Sequence, residues 1–394
     1  MSENSLARIR LRIIRYVLFT FAGYVTIGLC LSVLPIYIHQ RLGFSTMMAG
    51  IIISLQYVMT FLCRPYAGNL VDKKGPKTAI TQSMMGFAVS GILLILSGLA
   101  QAHILLCLAI LACTRLVTGF AEGTLGASPI NWAILVVGDE HTGKIISYNG
   151  IASYGALAVG ASLGVIINQT AGLPAIGILI SLIGITGWAI ARSRPAIKSK
   201  AAGVRESFLK VFRIVTPYGA TLAIGGLGFG SISTFITLYY AGNTWSGAVY
   251  CLAVFSIMFI LGRIAFESAI DKYGGMRTAI VCLSVEALGL LVIWQAPNPT
   301  LALTGAGIAG FGFSLLFPAL GVMAVKAAPA ANRGSALAGY GLFIDLSLGL
   351  TGPLFGFVAG NLGMNRIYAA ACLIVLIGLL IAIKLDSILT KKTM

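Results

Sequence analysis

Four titratable side chains stand inside long apolar runs: Arg115 and Glu122 in one, Glu286 in another and Asp345 in a third. A charge surrounded by apolar groups is costly to keep, so each is a candidate for function before it is a candidate for packing. Arg115 and Glu122 are seven residues apart. On a helix that is nearly two turns, which places both on one face about 10 Å apart along the axis. They cannot pair directly unless their side chains reach toward each other or share water. Burial disfavours a charged carboxylate and a nearby guanidinium favours it, so such a group takes or releases a proton as hydration and distance change. On that ground Glu122 is the expected proton carrier and Arg115 its modulator; the competing reading is a static charge pair that ties the helix in place. Asp345, about ten residues into its run, is expected to be a second titrating group or a contact for a cationic or polyol solute.

The elements that hold these groups follow from composition. Of 394 residues 58% are hydrophobic and only 10% charged, whereas soluble domains carry about a quarter charged residues. Apolar runs of about 20 residues, enough to cross a hydrocarbon core as a helix, recur at 13–39, 47–70, 79–100, 104–137, 145–167, 172–191, 214–241, 247–269, 278–296, 299–324, 335–360 and 367–386. The strict alternation of a transmembrane barrel is absent. The expected fold is therefore an all-α integral membrane protein of twelve transmembrane helices. The first run follows Arg8, Arg10, Arg12 and Arg15, but it is too long for a signal-peptide core and is kept as span one.

The net charge of +16 invites a nucleic-acid reading. The distribution of the bases argues for topology instead. About 22 of the 27 Lys and Arg fall in the N-terminal arm, the loops after even-numbered spans and the tail. By the positive-inside rule both termini are then cytoplasmic, and the expected location is a bacterial inner membrane. The seven cysteines all fall in apolar runs without a CxxC, and no HExxH occurs, so no metal site is expected. GDEHTGKI at 138–145 nearly spells a phosphate-binding loop, but Ile145 stands where a Ser or Thr is needed and no strand precedes it. Gly305, Gly307 and Gly310 fit GxGxxG inside an apolar run, where close helix packing is the better account. With no nucleotide or redox motif, no cofactor is expected, and the energy source is an ion gradient or none.

The chain also repeats itself. Residues 64–80 read RPYAGNLVDKKGPKTAI and residues 263–280 read RIAFESAIDKYGGMRTAI. A weaker echo links HTGKIISYNG with ANRGSALAGYG after spans four and ten. Between the copies, residues 192–213 carry seven bases against the single acid Glu206. The domain reading is thus an N-terminal six-helix half at 1–191, a basic cytoplasmic linker at 192–213 and a C-terminal six-helix half at 214–394. Internal repeats of this kind characterise transporters. In each loop the Asp and its neighbours could latch the cytoplasmic side: Gly68, Asp72, Lys73, Gly75 and Lys77 in the first copy, Asp271, Lys272 and Gly274 in the second. Each Asp follows the end of its span, free to accept from the N–H groups at the start of a helix in the other half, while the bases pair with acids or anionic headgroups. The first copy is the better formed, so Asp72 is expected to matter more than Asp271.

These loops, with Arg115, Gly119 and Gly123 in span four, resemble the signatures of the major facilitator superfamily and its proton-coupled antiporters. SYNGIASYGALAVGASLGV, FSLLFPALGVMAVKAAP and DLSLGLTGPLFG resemble a small bacterial branch of efflux permeases associated with sugars and small polar toxicants. The antiporters' Gly-Pro pair of span five is missing here and a Gly-Pro stands in span eleven at Gly352-Pro353. The resemblance implies two pseudo-symmetric six-helix halves alternating access around a cavity lined by spans one, four, seven and ten. Tyr24, Gln56, Tyr154, Ser233 and Thr234 then become candidate substrate contacts. The third span of each triplet is peripheral in this superfamily, so Glu286 is expected to be structural, paired with Arg263 or another buried base. The implied activity is proton-coupled efflux of a small organic solute by a monomer, with protons and membrane lipids as the other partners and no nucleic acid. The alternatives are an uptake symporter and, more remotely, a membrane-embedded enzyme or lipid-handling protein.

Overall fold

The computed structural model describes residues 3–138, 141–197, 207–266, 268–328 and 333–393. The described residues are helical wherever they are regular: α1 (Glu3–Leu31), α2 (Leu34–Ile36), a π-turn at Tyr37–Arg41, α3 (Thr46–Lys74), α4 (Pro76–Leu99), α5 (Ile104–Leu125), α6 (Ser128–Val137), α7 (Thr142–Ser193), α8 (Phe208–Gly242), α9 (Ala248–Ala265), α10 (Ala269–Tyr273), α11 (Gly275–Trp294), α12 (Pro299–Phe313), α13 (Leu316–Ala327), α14 (Arg333–Leu362) and α15 (Arg366–Thr393). Among the described residues eleven stretches are long and apolar enough to cross a membrane. One of them, Lys144–Ser193, runs for 50 residues, about twice what a crossing needs. Its backbone leaves helical geometry at Gly172, at φ 76°, a conformation open to glycine. The two arms on either side supply spans five and six, so the count of twelve holds. Outward side chains such as Leu105, Leu99 and Leu380 are largely exposed, as a surface facing lipid rather than water allows.

Three crossings are interrupted four or five residues before a proline. The helix α1 stops at Leu31 ahead of Pro35, α5 at Leu125 ahead of Pro129, and α12 at Phe313, with Ser314 as its cap, ahead of Pro318. Proline has no N–H for the carbonyl four residues back and its ring crowds that carbonyl. Pro65, Pro217 and Pro353 are nevertheless passed without a break.

The second span ends later than its hydropathy implies. Asp72 and Lys73 continue α3 to Lys74, and Asp271 lies within the short α10 rather than after a helix end. Polar side chains do not stop a helix. The backbone stops at Gly75 and Gly274, which cap α4 and α11 with nearly the same angles, φ 88° ψ 162° and φ 85° ψ 155°. Residues with a Cβ avoid that region, so the repeated glycine encodes the sharp corner between spans.

The described chain resolves into two compact units, residues 1–33 with 55–202 and residues 34–54 with 203–394. In the first, α7 packs along α1 and α4. In the second, α11 packs on α12 and α15, and α14 on α8. The GxGxxG glycines serve these crossings: a Cβ on Gly305 would sit 2.8 Å from the Gly289 carbonyl oxygen, and one on Gly310 would collide with the Phe255 carbonyl.

Candidate functional site

The geometry that carries chemistry lies in the first unit, where α3 crosses α5. A Cβ on Gly119 would clash with the Gln56 carbonyl, and one on Gly123 would lie 3.0 Å from the Thr60 carbonyl oxygen. These two glycines, four residues apart, form a flat face that lets the α3 backbone close in. That approach brings Gln56 between the two charges of α5. The Arg115 guanidinium Nη1 donates to Gln56 Oε1 at 2.7 Å, and Gln56 Nε2 donates to Glu122 Oε2 at 2.9 Å. The amide is a polar relay matched in sense to both ends, accepting from the cation and donating to the carboxylate. It spans the two-turn gap that the spacing of Arg115 and Glu122 leaves open.

Thr60, one turn along α3 from Gln56, completes the arrangement. Its hydroxyl lies 3.1 Å from Glu122 Oε2, 3.1 Å from the Gly119 carbonyl and 2.9 Å from the Gln56 carbonyl. A hydroxyl has one proton to donate, so it can serve the carboxylate or a carbonyl, not all three. Arg115, Gln56, Thr60 and Glu122 are all buried, Glu122 at 7% exposure. The Cys30 thiol of α1 also interacts with the Arg115 charge. Thr60 and Cys30 escape the sequence reading. Thr60 had a usable signal, because it follows Gln56 at helical spacing; Cys30 had none.

Gln56, a candidate substrate contact by sequence, lies between the two charges with both ends of its amide engaged. Tyr24 and Tyr154 are half-buried in the first unit. Ser233 and Thr234 are buried on α8 of the second, and the Ser233 hydroxyl donates to the Gly230 carbonyl at 3.1 Å. Asp345 is buried on α14. Glu286 is completely buried; neither carboxylate oxygen makes a well-formed hydrogen bond among the described residues, and the Phe229 backbone lies within electrostatic reach. The expected pairing with Arg263 is therefore corrected. Glu286 is eleven residues into α11, about 16 Å along the axis, whereas Arg263 is two residues from the end of α9 and lies 5.9 Å from the Phe259 ring centre.

The loop residues divide. Lys77 Nζ donates to the carbonyl oxygens of Arg192 at 2.8 Å and Arg194 at 2.5 Å, so it neutralises the C-terminal end of α7 within its own unit. This differs from the acid or headgroup pairing expected of it. Lys272 lies 5.0 Å from the Tyr273 ring centre. Gly68 is exposed, and a Cβ there would meet open space. The side chains of Asp72, Lys73 and Asp271 lie outside the described residues. Arg64, which opens the first repeat, has its guanidinium 3.2 Å from where a Cβ on Gly126 would stand, at the break between α5 and α6. In the second unit Gly262, beside Arg263, abuts Ser314 at the break between α12 and α13.

The family model for the Major Facilitator Superfamily matches residues 16–266 and 245–392. The chain belongs to the major facilitator superfamily. This superfamily member is 50% identical over 384 residues to an uncharacterized MFS-type transporter of Pseudomonas aeruginosa (strain UCBPP-PA14), covering 97% of this chain and 95% of that one. It is 43% identical over 378 residues to the uncharacterized MFS-type transporter YhhS of Escherichia coli (strain K12), covering 96% and 93%. Its fold matches the crystal structure of the human organic anion transporter MFSD10 (TETRAN) with a TM-score of 0.70 at 14% identity, covering 95% of this chain and 99% of that one. It matches a mutant of the nucleoside transporter NupG with a TM-score of 0.72 at 12% identity, over the same shares. These matches make the protein a multi-pass MFS transporter and not an enzyme.

Proposed function

We propose that this transporter is a proton-coupled exporter of a small organic solute, working by alternating access in a bacterial inner membrane with both termini in the cytoplasm. The gathering of basic residues on one side supports the orientation. The observation that carries the coupling is the buried Arg115–Gln56–Glu122 chain. In this reading Glu122 is the proton carrier. Ionised, it accepts from the Gln56 amide and the Thr60 hydroxyl. Protonated, it needs fewer donors, so Thr60 turns to the carbonyl of Gln56 or Gly119 and the link through the amide to Arg115 slackens. Because Gln56 and Thr60 belong to α3 while Arg115 and Glu122 belong to α5, protonation changes how firmly the two helices are tied. That is the property a proton-driven conformational cycle requires. Asp345 is proposed as a second titrating group or solute contact, and the paired loops as cytoplasmic latches.

The test is solute flux in proteoliposomes and in vesicles of both orientations under an imposed pH gradient. Efflux coupling predicts accumulation in inside-out vesicles driven by an acid interior, lost in Glu122→Gln. Accumulation by right-side-out vesicles with an acid exterior would assign the protein as an uptake symporter instead.

A further inference from the structure

On the surface of the first unit, α1 and the second arm of α7 leave a groove of about 340 Å³. Its walls are apolar, among them Leu18, Ala22 and Val25 from α1 and Ile183 and Ile190 from α7, and no acid lines it. Two cations do, Arg15 and Arg194. Both stand at the same end, because the N-terminal part of α1 lies against the C-terminal end of α7. The remaining lining residues reach Val25 on one wall and Ile183 on the other. These are ten and eleven residues from the arginines, so the groove runs about 15 Å. That is about half of a hydrocarbon core of about 30 Å, the depth of one leaflet.

Arg194 is held in place for this. Its guanidinium lies 5.0 Å from the Tyr16 ring centre and 5.2 Å from that of Phe19, and its carbonyl accepts from Lys77. A guanidinium resting on aromatic faces keeps its edge donors for an oxyanion. Arg192, two residues earlier on α7, lies over Trp188 and does not line the groove.

We infer that this groove is a binding site for one anionic phospholipid, with an acyl chain between α1 and the second arm of α7 and the headgroup phosphate on Arg15 and Arg194. Charge and length together select the occupant. A zwitterionic lipid brings a cation toward two arginines, and a soluble anion has no use for the apolar walls. The site ties the first helix of the transporter to the end of the sixth in the leaflet that meets the basic face.

Native mass spectrometry of the full-length protein, titrated with phosphatidylglycerol or phosphatidylcholine, tests the site. Phosphatidylglycerol is expected to bind the wild type selectively, and Arg15→Gln with Arg194→Gln to weaken it about thirtyfold, from about one kcal/mol per basic residue near a charged surface. Replacing both by Lys keeps most of the affinity, which separates lost charge from a lost fold. Ala22→Trp, which fills the groove and leaves both arginines, is expected to abolish the selective adduct. Arg10→Gln with Arg12→Gln, outside the groove, is expected to change nothing. The inference is overturned if the Arg10 and Arg12 pair costs as much as the groove pair, if Ala22→Trp binds like the wild type, if inorganic phosphate displaces the lipid, or if the two lipids bind alike.

Discussion

Glu122 and Glu286 are both buried acids in related six-helix repeats, and their surroundings could hardly differ more. Glu122 receives the Gln56 amide, with the Thr60 hydroxyl in reach and Arg115 one link away. The Glu286 carboxylate lies against Gly225 and Gly228 of α8, and its backbone against Gly312 of α12. Aligning Thr78-Ala79-Ile80 with Thr278-Ala279-Ile280 puts Glu286 at the register of Gly86, where the first unit has no side chain and packs the glycine on Ala121. The repeat therefore fixes the frame, while each half decides separately where to place its acid. An acid tied to donors on a neighbouring helix has a link between helices that protonation can loosen. One lying against glycines and the Phe229 backbone has no side-chain partner to release.

The largest effect follows from breaking the tied acid. Glu122→Gln is expected to reduce gradient-driven transport to background in reconstituted vesicles while leaving the purified protein folded. Gln56→Leu should come next, since it removes the relay and leaves both charges buried without it; truncating one partner of such a network costs about 3–5 kcal/mol, read as a fall in thermal midpoint together with lost coupling. Gly119→Val tests the approach of the two helices and is expected to cost about 1–3 kcal/mol through overpacking against the Gln56 carbonyl. The paired corners sharpen the comparison further. Gly75→Ala should destabilise more than Gly274→Ala, each by about 1–3 kcal/mol for a positive-φ, extended backbone that only glycine adopts readily, because only at Gly75 does the added Cβ also meet a carbonyl, that of Ile197 at 2.8 Å. Smallest of all, Glu286→Gln is expected to leave the thermal midpoint unchanged or raise it, since an ionised carboxylate there has no counter-charge to lose. A loss as large as that of Gln56→Leu would show that Glu286 has a partner in the working protein and would erase the contrast between the halves.

The sequence made the membrane fold and its repeat legible, because apolar run length and charge spacing are local properties. Gly75 and Gly274 recur three residues after their Asp and read in sequence as members of a latch; their corner-forming backbone appears only in the structure. Arg115 and Glu122 stood out by cost alone. What lay beyond reach was long-range. Nothing near Gln56 says that Gly119 and Gly123 will draw α3 onto α5, so the residue reads as a solute contact until the crossing is seen. Lys77 likewise reads as a base for acids or headgroups, whereas its partners are carbonyls more than a hundred residues away. The interruptions at Pro35, Pro129 and Pro318 are ambiguous in sequence because Pro65, Pro217 and Pro353 sit in unbroken helices, and neighbouring groups decide whether the freed carbonyl is satisfied.

The most direct test of the central claim compares two fluxes in the same Glu122→Gln proteoliposomes once a transported solute is in hand: exchange of solute for solute without a gradient, and net movement driven by a pH gradient. Exchange is expected to survive and gradient-driven movement to disappear, because the binding and rocking machinery remains while the proton's place is gone. Gradient-driven movement at the wild-type rate in Glu122→Gln would contradict that claim.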